Sequence, residues 1–118
     1  MDANLSTAGN MEIVISVSGD VSTFNLIGQL WRKDDLSSLE AAVEEFIVEK
    51  KSVLVLDISR LSFINSQGLG LLVRCHVRLG DSGAKMILFG PNEAVSEVIE
   101  LSGFAMFMTI ATTEGELD

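Results

Sequence analysis

Residues 53–73, VLVLDISRLSFINSQGLGLLV, constrain the fold most: an apolar stretch passes through a short polar turn into a helix that opens beside Ser66. Val53 to Leu56 are apolar at consecutive positions, the pattern of a strand covered on both faces in a parallel sheet. Parallel neighbours need crossovers of a dozen residues or more, so a chain built on this unit should alternate strand and helix.

The remaining sequence does alternate. MEIVISV (11–17) puts Met11, Ile13, Ile15 and Val17 on one face of a strand. Ser18, Gly19 and Asp20 supply a tight turn into a second strand, VSTFNLIG, so the two form an antiparallel hairpin with Gly19 at positive φ. Asp34 or Asp35 caps a helix running to about Lys50, with Leu36, Leu39, Val43, Phe46 and Ile47 inward and Glu40, Glu44 and Glu45 outward. After Ser66 the apolar stripe is Leu69, Leu72, Val73, His76 and Leu79, with Gly80 and Gly83 at the helix end. Met86 to Phe89 is a buried strand. Pro91 or Asn92 starts a third helix bearing Val95, Val98, Ile99 and Leu101, Gly103 ends it, and Phe107 to Ile110 form a last short strand. The reading is an α/β single domain over residues 1–118, with residues 1–10 as a flexible N-terminus. Its sheet is mainly parallel, of about five strands with an antiparallel first strand, and wound by right-handed βα connections.

Composition narrows the function. Seventeen acidic against 8 basic residues, a formal net charge of −9, argue against a nucleic-acid surface and against binding an anionic membrane; such a field either does no more than keep the domain in solution or steers it toward a basic protein surface. The longest apolar runs fall short of the roughly 20 residues a membrane span needs. MDANLSTAGN lacks the basic and then apolar run of a secretory signal, so a cytoplasmic location is expected. Cys75, alone in the chain, has no internal disulfide partner.

Catalytic and cofactor chemistry finds few residues to use. No GxxxxGK, GxGxxG, paired histidine ligands or cysteine cluster occurs. His76 reads as a packed, hydrogen-bonded residue, and its neighbour Cys75 stands about 100° away around the helix, poor geometry for a nucleophile and its base. A nucleophile elbow would need glycine where Ile64 stands. Asp57 at a strand end lacks the acidic pair that would hold Mg²⁺ in a phosphorylated receiver. No catalytic residue, metal or cofactor is therefore expected.

What remains is a serine at a helix start, where unpaired N–H groups favour negative charge. Ser66 is either an ordinary N-cap or a phosphoacceptor, and phosphorylation would add about −1.5 to −2 charges. Asp57, Ser59, Asn65, Gln67 and Gly68 support this position, Asp57 and Ser59 by shaping the strand-to-loop turn through side-chain bonds. Gly68 and Gly70 let the backbone approach whatever occupies the helix start. Trp31, beside Arg32 and Lys33, is either an exposed binding anchor or a cover for the sheet end. Gly70, Leu71 and Arg74 fall away from the apolar stripe and are candidate partner contacts, as is Arg32.

LVLDISRLSFINSQGLGLLV resembles the signature of the STAS domain of bacterial anti-sigma factor antagonists: apolar strand, Asp-x-Ser, an apolar pair, then Asp-Ser-x-Gly-Leu at a helix start. VSTFNLIGQL and NEAVSEVIELSGFAMFMTIATTEGE extend the likeness over residues 11 to 116. The resemblance implies partner switching. An anti-sigma factor serine kinase would phosphorylate the motif serine, here Ser66; the unmodified domain would bind that kinase and free a sigma factor, and a PP2C-type phosphatase would restore it. Two departures stand out: Asn65 replaces the usual acidic residue, and Gly28-Gln29-Leu30-Trp31 replaces Gly-x-Leu-Asp. They leave open a second role, as a fixed STAS subunit of a lipid-transport ATPase or of a stress-sensing complex.

Overall fold

The structure, a computed structural model, describes residues 3–4 and 11–112. Its elements in chain order are β1 (Ala3–Asn4), β2 (Met11–Ser18), β3 (Val21–Leu30), α1 (Lys33–Val48), β4 (Val53–Asp57), β5 (Leu61–Ile64), α2 (Ser66–Asp81), β6 (Lys85–Phe89), α3 (Glu93–Ser102) and β7 (Thr109–Ala111). The expected flexibility of residues 1–10 falls largely outside the described residues; Ala3–Asn4 pairs antiparallel with β2. The TEGELD tail lies outside them as well.

β2 and β3 form the expected hairpin, closed by Gly19 at φ 61° with Ser18 opposite Val21. From β3 onward every pairing is parallel, in the order β3-β4-β6-β7. Because that order advances steadily and parallel crossovers are right-handed, α1, α2 and α3 all lie on one face of the sheet. The core sits there: Ile13, Phe24, Leu54, Leu56 and Leu88 of the sheet meet Leu39, Phe46, Leu72, Leu79, Val95 and Ile99 of the helices.

The stretch read as a polar turn holds a strand. β4 pairs with the first half of β3, through Asn25 opposite Asp57, and β5 pairs with the second half, Gly28 opposite Leu61 and Leu30 opposite Ile64. Between the two, Asp57 Oδ1 accepts both the Ser59 hydroxyl (2.6 Å) and the Ser59 backbone N–H (3.0 Å), which folds the chain sideways so that it can rejoin the same neighbour. β3 accommodates the jog with a bulge at Gly28, whose φ of 115° a side chain would oppose. Ser62 Oγ donates to the Gly28 carbonyl at 3.0 Å and Asn92 Nδ2 to that of Leu61 at 2.7 Å, fixing both sides of β5.

The start of α1 departs from expectation, whereas α3 begins and ends where expected. α1 begins at Lys33, and neither Asp34 nor Asp35 caps it. Asp35 is fully buried and accepts the Met11 backbone N–H at 3.2 Å, tying α1 to the start of β2. α3 is capped by Asn92, which accepts from Val95 N at 2.9 Å. After Gly103 a 3-10 turn, Phe104–Met106, delays the final strand to Thr109, leaving Phe107 exposed. His76 is half-buried, yet its Nδ1, expected to be hydrogen-bonded, has no partner among the described residues.

Candidate functional site

The site follows from the β3–β5 pairing. Leu30 stands opposite Ile64, so the residues that leave these strands, Trp31 and Asn65, emerge side by side, and α1 and α2 start next to each other. The end of β3 supplies Trp31, Arg32 and Lys33; the end of β5 supplies Asn65, Ser66 and Gln67.

Asn65 caps α2, its Oδ1 accepting the Gly68 N–H at 2.9 Å. Ser66 is thus not the cap but the first helical residue, and its side chain is exposed, as is that of Gln67. Gly68 has a role that the sequence reading misplaced. A Cβ there would fall 2.4 Å from the Leu30 carbonyl oxygen and 2.9 Å from Ile64 Cγ1, so the close approach it permits is to β3 and β5 of its own domain. Gly70 faces open space apart from Arg74 Nη1, 3.6 Å from its virtual Cβ.

Two concavities flank the start of α2. One, of about 450 Å³, is walled by Gln29, Trp31, Phe63 and Asn65. Trp31 is 40% exposed and its Nε1 donates to Gln29 Oε1 at 3.0 Å, while Phe63 is 48% exposed; both present apolar surface beside the serine. The other, of about 460 Å³, is lined by Lys33, Leu36, Ser66, Gln67, Gly70 and Arg74. Arg32 is exposed at the mouth of α1.

Leu71 is not a surface contact. It is 1% exposed and belongs to the core, because α2 is covered by α1 as well as by the sheet and its buried face is wider than one stripe. Phe63 was not singled out from sequence, and Gln29, Lys33 and Leu36 were named there only as neighbours of Trp31 or as a helix position, not as walls of the site. The alternation Leu61-Ser62-Phe63 would place Phe63 on the buried side with Leu61; the register shift between Gly28 and Gln29 turns it outward instead, and Ile64 takes the buried position.

Cys75 is buried beneath a small groove between α1 and α2. Burial first, and then Glu40, push its thiol up to about 12, Glu44 adding to the rise and Arg74 opposing it. Across the groove Arg78 makes a bidentate pair with Glu44 at 2.8 and 2.9 Å. No cluster of metal-ligating side chains occurs among the described residues, and none of their helices is long and apolar enough to cross a membrane.

A sheet wound in one direction with its helices on a single face, and a serine opening the central helix, define a class of small α/β domain. The chain belongs to the STAS domain family, whose model matches residues 12–117. An anti-sigma-B factor antagonist of Listeria monocytogenes is 28% identical over 80 residues, covering 68% of this chain and 70% of that protein. Among solved structures, the anti-sigma factor antagonist SpoIIAA in its unphosphorylated form superposes with a TM-score of 0.74 at 25% identity, covering 90% of this chain and 93% of that one. An anti-sigma factor antagonist from Mycobacterium paratuberculosis shares the fold, with a TM-score of 0.79 at 21% identity over 95% of this chain and 94% of that one.

Proposed function

We propose that the protein is an anti-sigma factor antagonist switched at Ser66. In its unmodified form it binds an anti-sigma factor serine kinase and so releases a sigma factor; phosphorylation of Ser66 ends that binding, and a PP2C-type phosphatase reverses it, all within the cytoplasm. The observation that carries the reading is the placement of Ser66: exposed, at the first position of α2, between an apolar concavity built on Trp31 and Phe63 and a basic one built on Lys33 and Arg74. A partner docked across both would contact the serine, so a dianion there would be a repulsive element set into the interface. The likeness to an anti-sigma-B factor antagonist, and to an antagonist whose structure is distinguished as unphosphorylated, supports it.

Incubation with the cognate kinase and ATP is expected to add one phosphate that Ser66→Ala abolishes, and Ser66→Asp is expected to weaken kinase binding. Labelling that survives Ser66→Ala sinks the assignment. The exposed Trp31–Phe63 surface favours a second reading, a fixed subunit of a transporter ATPase or stress-sensing complex; capture of such a partner, unaffected by Ser66→Asp, would replace the switch.

A further inference from the structure

Acidic residues outnumber basic ones by 17 to 8 in this chain, yet both charged residues lining the groove at Ser66 are basic, Lys33 and Arg74. Ser66, Gly70 and Arg74 are spaced by four and share one face of α2. Helical side chains lean toward the N-terminus, which aims Arg74 along that face at Ser66. Gly70 leaves its way clear: Arg74 Nη1 lies 3.6 Å from where a Gly70 Cβ would stand, so the guanidinium already reaches over Gly70, one helical turn short of the serine. Arg74 forms no ion pair with a described residue, whereas Arg78, one turn further on, is paired with Glu44. Lys33, exposed at the first position of α1, faces the same groove from the other side. The residue next to the serine is Asn65, which is neutral and already engaged with Gly68 N.

We propose that this groove is a built-in clamp for phosphoserine 66, in which Arg74, reaching over Gly70, and Lys33 hold the phosphate on its own domain. A phosphate brings about −1.5 to −2 charges and three acceptor oxygens, and a guanidinium suits them through paired N–H donors. Phosphorylation then alters the docking face twice: it introduces a dianion, and it withdraws two cations that a partner of the unmodified form would otherwise meet. The inference rests on Ser66 being the phosphorylated residue, but its test needs no kinase.

The full chain is prepared with phosphoserine installed at position 66 during translation, and its phosphate is titrated by ³¹P NMR. The phosphate is expected to lose its second proton at a pH lower by about half a unit or more than the same chain in urea, because facing cations favour the dianion. The Lys33→Gln/Arg74→Gln double variant is expected to remove most of that difference. Lys51→Gln, a change at the opposite end of the sheet where Lys51 bonds the Gly19 carbonyl, is expected to leave it intact. A phosphate that titrates alike in the folded wild-type chain and in urea, or alike in wild type and double variant, overturns the clamp. That failure with normal kinase labelling refutes the clamp alone; an intact clamp in a chain that no kinase labels refutes the switch alone.

Discussion

Asn65 Oδ1 accepts the backbone N–H of Gly68 at 2.9 Å, so the residue before the serine caps α2 and the serine is spared that task. Replacing Asn65 with alanine should cost about 1 kcal/mol, the usual value of an N-cap, while Asn65→Asp should hold stability within a few tenths, since aspartate caps equally well. Ser66→Ala, at an exposed position, should stay within about 0.5 kcal/mol of wild type. Urea denaturation of the three variants checks this. A larger loss for Ser66→Ala than for Asn65→Ala would return the cap to the serine.

Gly68 and Gly80 stand in the same helix, and alanine should act on them in opposite directions. Alanine is favoured over glycine in a helix interior by about 1 kcal/mol. At Gly80 nothing lies within 4 Å of the added Cβ, so Gly80→Ala should be neutral to stabilising by up to about 1 kcal/mol, less so because α2 ends one residue later. At Gly68 the Cβ would stand 2.4 Å from the Leu30 carbonyl oxygen, a backbone atom that cannot rotate aside. The propensity gain should therefore lose to overpacking, with a net cost of about 1–3 kcal/mol read from the denaturation midpoint.

These cases show what local pattern could reveal. The hairpin, the three helices and the parallel strands β4 and β6 were legible because each has a period, an apolar run or a glycine punctuating it. β5 was hidden, since four residues between two turns carry almost no period, and what makes them a strand is the second half of β3 waiting for a partner. The cap at Asn65 was obscured by the serine beside it, as both are good capping residues. The role of Asp35 depends on Met11, which lies 24 positions away in sequence and could be found only in the fold.

Leu71→Ala distinguishes a core residue from a surface contact. A surface contact would lose little stability on truncation, whereas a leucine exposed by 1% should cost about 2–5 kcal/mol through lost burial and the cavity left behind. Thermal or urea unfolding distinguishes the two.

Trp31→Ala and Phe63→Ala should do the reverse. Both side chains are roughly half exposed, so stability should change by no more than about 1 kcal/mol, while affinity for a docked partner should fall at least tenfold if these are anchoring aromatics. Calorimetric titration of each variant with the purified partner, beside its unfolding curve, separates the effects. Equal affinity in both variants would remove this concavity from the interface.

The thiol of Cys75 gives a pH signature with a definite sign. Burial, Glu40 and Glu44 raise its pKa from an ordinary 9.0 to about 12 in the folded chain. The folded state therefore keeps the proton over a range in which the unfolded state releases it. Fewer protons are then bound by the unfolded state, and stability falls as pH rises. This contribution is fully present below about pH 9 and is lost as pH rises toward 12. Cys75→Ala should be less stable than wild type at pH 8 through lost packing, but the gap should narrow between pH 9 and 11, because only the wild-type chain carries the titrating thiol. Paired urea melts at pH 8, 9.5 and 11 measure the narrowing, and a constant gap would contradict the raised pKa. In the same material, iodoacetamide at pH 8 should leave the folded thiol unmodified and alkylate it once urea is added, as expected of a buried, protonated cysteine that packs α2 against α1.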